Sequence, residues 1–374
     1  MTGYNTFSTT KKDIVKKLDM PLSIYTLIAV IWGIIMIASA SSSPVKHVAV
    51  QTVASCLGLV GIFMIIIWDY EYLAGISKFL YLGSAFLLTI VLIPGIGSMA
   101  NGARSWFRIG NLISIQPAEI GKLFFIITFS NLLSAREDAI DDPMNVIAFL
   151  LHLAIPIGLI LLQPDLGTAF VFFFIFFVLL FVAGISWKYI LGALGTLVPV
   201  IPVLWFFVLK DYQKLRIINL FHPENDPSGS GYHVVQSKIT IGSGQLTGTG
   251  LFGGASQYNN FLPERHTDFI FSVICEELGL IGGLLCIALL IAIIVRCIQI
   301  GLNSKNSLGK YICLGVAAMF TFHVFENIGM CIGIMPVTGI PLPFFTYGGS
   351  SILTNLIAIG LVLNVDYRSK QINI

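Results

Sequence analysis

Residues 261–279 read FLPERHTDFIFSVICEELG. Four polar residues, Glu264, Arg265, His266 and Thr267, lead up to Asp268, and from Phe269 the chain is almost wholly apolar as far as Val295. A run of that length exceeds the roughly 20 residues needed to cross a bilayer as a helix. The stretch is therefore a threshold between water and lipid, with a carboxylate standing on it. Why an acid should be kept there is the question the rest of the sequence has to answer.

The surrounding composition supports the membrane reading. Hydrophobic residues make up 56% of the 374, charged residues 11%, and mean hydropathy is +0.88. A soluble domain would carry about a quarter charged residues. A net charge of +2 is too small to indicate nucleic acid or a polybasic lipid-binding face. The cysteines Cys56, Cys275, Cys286, Cys297, Cys313 and Cys331 all lie in apolar runs without a CxxC pair. They fit small core residues and imply neither a disulfide framework nor a zinc site. Lys11, Lys12, Lys16 and Lys17 followed by an apolar run and Ala38-Ser39-Ala40 sketch a signal peptide. The run is at the long edge for one, so it is read as an uncleaved first helix.

Ten segments qualify as spans, centred on 24–40, 48–68, 76–94, 116–135, 145–162, 167–186, 188–208, 269–295, 311–335 and 349–365. With the N-terminus inside, twelve Lys and Arg fall on inner segments and eight on outer ones, five of those eight in the single long loop 209–267. Because long loops count little in the positive-inside rule, both termini belong inside. The expectation is an all-α integral membrane fold, one polytopic domain over 1–374, with 209–267 as a large extracellular loop. That loop is expected to fold partly over the outer face, since a structureless loop so long is uncommon.

This topology sends ionisable residues to the outer side. Arg104 and Arg108 lie in the loop before the fourth span, and Glu119 and Lys122 lie in its first turns. Three apart, those two share a helix face, about 5–9 Å below Gln116. Asp165 marks the junction of spans five and six, Asp268 opens span eight, and the GGSS of Gly348–Ser351 opens span ten. A structural reading competes at each acid. Asp165 and Asp268 stand where N-caps would, Glu119 follows Pro117 in a first turn, and acids there complement free N–H groups and the helix dipole. Glu119 and Lys122 also neutralise each other in that reading. Glu276, Glu277, His323 and Glu326 form a deeper set, expected to pair across the bundle because buried charges need partners. Gly248–Gly253 fits GxGxxG but follows no strand, so it is not a dinucleotide site. His47, His152 and His222 have no ligand-spaced partners.

Acids and bases on one face suit an amphiphilic substrate with a phosphate head. Arginines and helix N-termini bind phosphate. A carboxylate beside them serves as a general base or holds a divalent cation, Mg or Mn, against a diphosphate. The same constellation allows a transporter that flips such a lipid.

The stretches ARSWFRIGNLISIQPAEIGKL, LLQPDLGTA, GYHVVQSKITIGSGQLTGTG, FLPERHTDFIFSVICEELG and MPVTGIPLPFFTYGGSS resemble, in order, those of the SEDS family (shape, elongation, division and sporulation). LPERHTDFIF and PVTGIPLPF are more similar to its RodA branch than to the FtsW division branch, with the sporulation relative SpoVE close. The resemblance implies a ten-helix enzyme of the bacterial plasma membrane that polymerises lipid II into glycan strands, with inversion, during cell elongation. It implies a class B penicillin-binding protein and other elongation-complex membrane proteins as partners, and no certain cofactor. By motif, Asp268 is the critical carboxylate, with Arg104, Glu119, Lys122, Asp165, Gln236 and Ser237 as substrate-binding candidates. Arg108 and Lys238, with Arg216 as a further cation, are added as counter-charges to the departing diphosphate. A lipid II flippase would lean on the deep residues and an ion gradient. A scaffold for a transpeptidase would tolerate loss of Asp268.

Overall fold

The ten apolar segments are helices in the structure, a computed structural model that describes residues 18–100, 103–109, 113–226, 229–254 and 261–371. They are α1 (Met20–Ala40), α2 (Pro44–Ile67), α4 (Ser77–Ile90), α5 (Pro117–Ser134), α6 (Pro143–Leu162), α7 (Leu166–Ala183), α8 (Trp187–Val203), α11 (Ile270–Leu302), α12 (Ser307–Ile332) and α13 (Gly349–Gln371). A short α3 (Tyr70–Gly75) precedes α4, and α9 (Asp211–Phe221) and α10 (Ser230–Ser243) occupy the long loop. Seven of the ten are long and apolar enough to cross a membrane taken singly. Of the other three, α4 and α8 are short, at 14 and 17 residues, and α5 carries the charges of Glu119 and Lys122.

Local sequence sets the helix ends. Asp19, Asp142, Asp165 and Asn306 each accept a hydrogen bond from a first-turn N–H, satisfying donors the helix leaves open. Gly184 and Gly333 stop α7 and α12 in the left-handed region, at φ 87° and 75°. Phe125, Phe129, Phe172 and Phe176 meet ring to ring where α5 packs on α7, and α12 and α13 are largely buried.

Contacts between loops fix the two sides. Arg296 holds Asp19 at 2.9 Å, Asn306 reaches Glu71 at 2.8 Å, and Ser307 binds Glu137, all on the inner side. On the other side His47 stacks on His266 with ring centroids 4.7 Å apart, and Arg265 donates to the Ala40 carbonyl at 2.6 Å. The histidine stack gives His47 a packing partner that is remote in sequence. The outer loop before α5 is also not irregular. It forms a three-stranded antiparallel sheet, β1 (Ser98–Ala100), β2 (Ala103–Ile109) and β3 (Ile113–Ile115), in the order β1-β2-β3.

One span departs from a simple helix. Inside α11, Gly279 has φ 67° and ψ −169°, which breaks it into 270–278 and 280–302. The segment 245–250 fills the break. Thr249 and Gly250 donate to the Glu276 and Glu277 carbonyls at 3.0 and 2.9 Å, and the Gln245 and Leu246 carbonyls accept from Leu280 and Ile281 at 2.8 and 3.3 Å. The opened groups of both half-helices are thereby paired, as a lipid environment demands. The GxGxxG fit that begins at Gly248 is part of this clip. A Cβ on Gly248, at φ 80°, would stand 2.1 Å from the Glu277 carbonyl oxygen. Gly248→Ala is expected to lose roughly 2–5 kcal/mol, from left-handed strain plus overpacking. A thermal unfolding series in detergent checks it, and an unchanged midpoint would remove the clip's structural importance.

Candidate functional site

The helix starts and outer loops deliver the acids to one region. Asp165 ends the α6–α7 turn. Its Oδ1 accepts from the Thr168 N–H at 3.1 Å, and its Oδ2 accepts from Thr168 Oγ1 at 2.9 Å and Gln116 Nε2 at 3.1 Å. It is thus an N-cap, as the structural reading expects. Burial nevertheless pushes its carboxyl up, the Thr168 bonds and Lys122 pull it down, and Glu119 raises it. Tyr212 and Gln213 of α9 both donate to the Pro164 carbonyl, at 3.2 and 3.4 Å, docking the long loop on this turn.

One and two turns into α5, Lys122 Nζ lies 2.8 Å from Glu119 Oε1 and 3.1 Å from His323 Nε2 on α12. All three residues are buried. Among the described residues, His323, Glu326 and Glu277 bond partners outside the deep set. His323 joins Lys122, Glu326 Oε1 accepts from Thr338 Oγ1 at 2.8 Å, and Glu277 accepts from Ser39. The side chains are drawn to the nearest helix or loop rather than across α11 and α12. Glu119 Oε2, His323 Nδ1 and Glu326 Oε2 are left buried and unpaired.

Asp268 differs from every other acid here. The N-cap of α11 is Phe269, without a side-chain cap bond, so the capping explanation fails for Asp268. Among the described residues no group donates a hydrogen bond to its carboxylate, and only its main-chain carbonyl is tied, to Asn327 Nδ2 at 2.9 Å. The side chain is half-buried beside Gly339, whose φ is 77° and where an added Cβ would come 3.3 Å from Oδ2. Crowding withdraws water and pushes its pKa up to about 7; Glu264 adds to the rise and Arg216 of α9 opposes it. A carboxylate that no described residue bonds, beside a side-chain-free wall and near a cation, is placed to accept a proton from an incoming group.

The remaining candidates lie on β2 and α10. Arg104 and Arg108 both lie on β2, on either side of a register shift against β1 that interrupts the strand's alternation. Arg104 is half-buried and donates to the Leu92 carbonyl at 3.3 Å, while Arg108 is exposed. Gln236 is half-buried on α10. Ser237 is fully buried, bonded to Ser272 Oγ at 2.6 Å and the Cys331 carbonyl at 2.7 Å, and so ties α10 to α11 and α12. Lys238 lays its stem over Gly333, where an added Cβ would come 2.1 Å from Cε. Its cation thus sits at the C-terminal end of α12, a favourable place in the helix dipole. At the start of α13 the Gly348 N–H is taken by Gln51 Oε1 at 3.1 Å. Among the described residues no three His, Cys, Asp or Glu gather closely enough to hold a metal ion.

Sequence reasoning passed over Gln116, Thr168, Asn327, Thr338 and Gly339. Gln116 and Thr168 stand within three residues of flagged acids. Asn327 gave a signal of its own kind, a carboxamide inside an apolar span.

Comparison with known proteins agrees over nearly the whole chain. The family model for FtsW, RodA and SpoVE, described as a cell cycle protein, matches residues 20–371. The peptidoglycan glycosyltransferase MrdB of Escherichia coli K12 is 35% identical over 356 residues, 95% of each chain. Stage V sporulation protein E of Bacillus subtilis 168 is 38% identical over 363 residues, 94% of this chain and 98% of that one. A chain from a solved structure on the structural coordination of polymerization and crosslinking by a peptidoglycan synthase complex superimposes with a TM-score of 0.83 at 33% identity, covering 95% of this chain and 99% of its own. Matched from its first span to its last, this multi-pass membrane protein belongs to the FtsW, RodA and SpoVE family.

Proposed function

We propose that this chain is a peptidoglycan glycosyltransferase that polymerises lipid II at the outer face of the bacterial plasma membrane. The carboxylate of Asp268, which accepts no hydrogen bond among the described residues and stands at the outer end of α11, carries the reading, and the identity to MrdB supports the activity. Asp268 takes the proton of the acceptor GlcNAc 4-hydroxyl. The oxygen attacks C1 of the donor MurNAc, the C1–O bond to the diphosphate breaks, and undecaprenyl diphosphate departs with inversion. Arg104, Arg108, Arg216 and Lys238 supply positive charge to the departing diphosphate, and charge stabilisation of this kind is usually the largest catalytic term. Glu119, Lys122, Asp165, Gln236 and Ser237 shape the wall behind the head group. A divalent cation at Asp268 would take its remaining ligands from diphosphate and water.

The similarity of LPERHTDFIF and PVTGIPLPF to the RodA branch supports a role in cell elongation. A class B penicillin-binding protein is the proposed partner, supported by the match to a chain of a peptidoglycan synthase complex. Transport is the weaker reading, because Lys122, the buried cation of the fourth span, is already held by Glu119 and His323.

Purified protein given lipid II, with and without the transpeptidase, tests the reading by the length of glycan product. The pH dependence follows from Asp268. The base is the ionised form, its pKa is about 7, and the active fraction rises with pH through that value. Single-turnover rates are expected to fall about tenfold per unit below it. A profile flat from pH 5 to 8 would place the proton acceptor elsewhere.

A further inference from the structure

We infer that Asn327 is a positioning residue for Asp268, a step that rests on the reading of Asp268 as the base. With no hydrogen bond to its carboxylate among the described residues, Asp268 can be aimed only through its main chain and the walls around it. Asn327, fully buried on α12, uses the two protons of one nitrogen for both. Nδ2 donates to the Asp268 carbonyl at 2.9 Å and to the Ile340 carbonyl at 2.8 Å. Ile340 follows Gly339, the residue that walls the carboxylate. One side chain therefore fixes the distance between the base and the wall it faces.

The chemistry of the position is narrow. Two carbonyl oxygens require two N–H donors, and a neutral carboxamide provides them from one atom. Aspartate would set a carboxylate against both oxygens, and leucine would match the shape with no donor. Thr346 makes a second, weaker tie between the same segments. Its Oγ1 donates to the Thr267 carbonyl at 3.1 Å and accepts from the Leu342 N–H at 2.8 Å. Thr346 approaches from the 333–348 loop, so α12 is not involved.

The test measures kcat, KM and the pH profile of lipid II polymerisation for Asn327→Leu, Thr346→Val and Asp268→Asn beside the wild type. Asn327→Leu is expected to lose about 10–100-fold in kcat with KM held within about threefold, the signature of a misplaced group. Its acidic limb should move to lower pH as the loosened carboxylate regains water, which a packing defect alone would not do. A kcat within about threefold of wild type in folded protein overturns the inference. Should Asn327→Leu fail to fold, Thr346→Val decides. A fall in kcat at constant KM supports the positioning role, and an unchanged kcat removes it. Full activity in Asp268→Asn would defeat the base assignment itself. Activity lost there but kept in the other two variants defeats only the role of Asn327.

Discussion

Asp268→Asn is expected to abolish glycan polymerisation while leaving the protein folded and its partner bound. The change replaces one oxygen by nitrogen and keeps volume and shape. Because the carboxylate accepts no hydrogen bond among the described residues and does not cap α11, no stabilising contact is lost. The melting midpoint should stay within a few degrees. What disappears is the proton acceptor, a loss worth about 10²–10⁴ in rate. Asp165 is the natural control. It accepts three hydrogen bonds as a helix cap, so Asp165→Ala should lower stability by about 1 kcal/mol, the usual cost of losing a cap. Product lengths on a gel, with thermal unfolding of the same samples, separate the two acids. Equal polymer from Asp268→Asn and wild type would leave the base unidentified. A large drop in its melting temperature would make Asp268 a structural residue after all.

The contrast between those two acids shows what the sequence could and could not convey. Both stand at the start of an apolar run, and from spacing alone both fit an N-cap. Capping depends on which residue the helix starts from, and α7 starts directly after Asp165 whereas α11 starts after Phe269, one residue beyond Asp268. The helices themselves were legible because twenty apolar residues in lipid have few alternatives to a helix. Sidedness was legible from lysine and arginine placement, and the loop-to-loop contacts agree with it. The break at Gly279 was not, because a glycine in an apolar run is common in membrane helices. It becomes a break only through the partner segment 245–250, which is close in space and about thirty residues earlier. Short polar side chains such as Asn327 and Thr338 were passed over for a similar reason. Asn327 answers to two main-chain carbonyls and Thr338 to the Glu326 carboxylate on the preceding helix, and neither pairing leaves a mark in the sequence.

The second large effect is expected at Lys122. Its ammonium lies within the bilayer-spanning part of α5, 2% exposed, between Glu119 and His323. Lys122→Met removes the only cation holding Glu119 among the described residues and leaves a buried carboxylate without its counter-charge. Removing one member of a buried pair costs about 3–5 kcal/mol. Much of the folded protein should therefore be lost, and the midpoint in detergent should fall by many degrees. Glu119→Gln with Lys122→Met removes both charges and keeps the shapes, so most of the stability should return. The recovered double variant then separates two roles. If the pair only balances charge inside the bundle, polymerisation returns with the fold. If the lysine also meets the diphosphate, the double variant folds yet stays slow, and the loss appears in kcat rather than in binding, because charge builds on the leaving group only as the bond breaks. A single variant as stable as the double would mean that the Glu119–Lys122 contact contributes nothing to the stability of the fold.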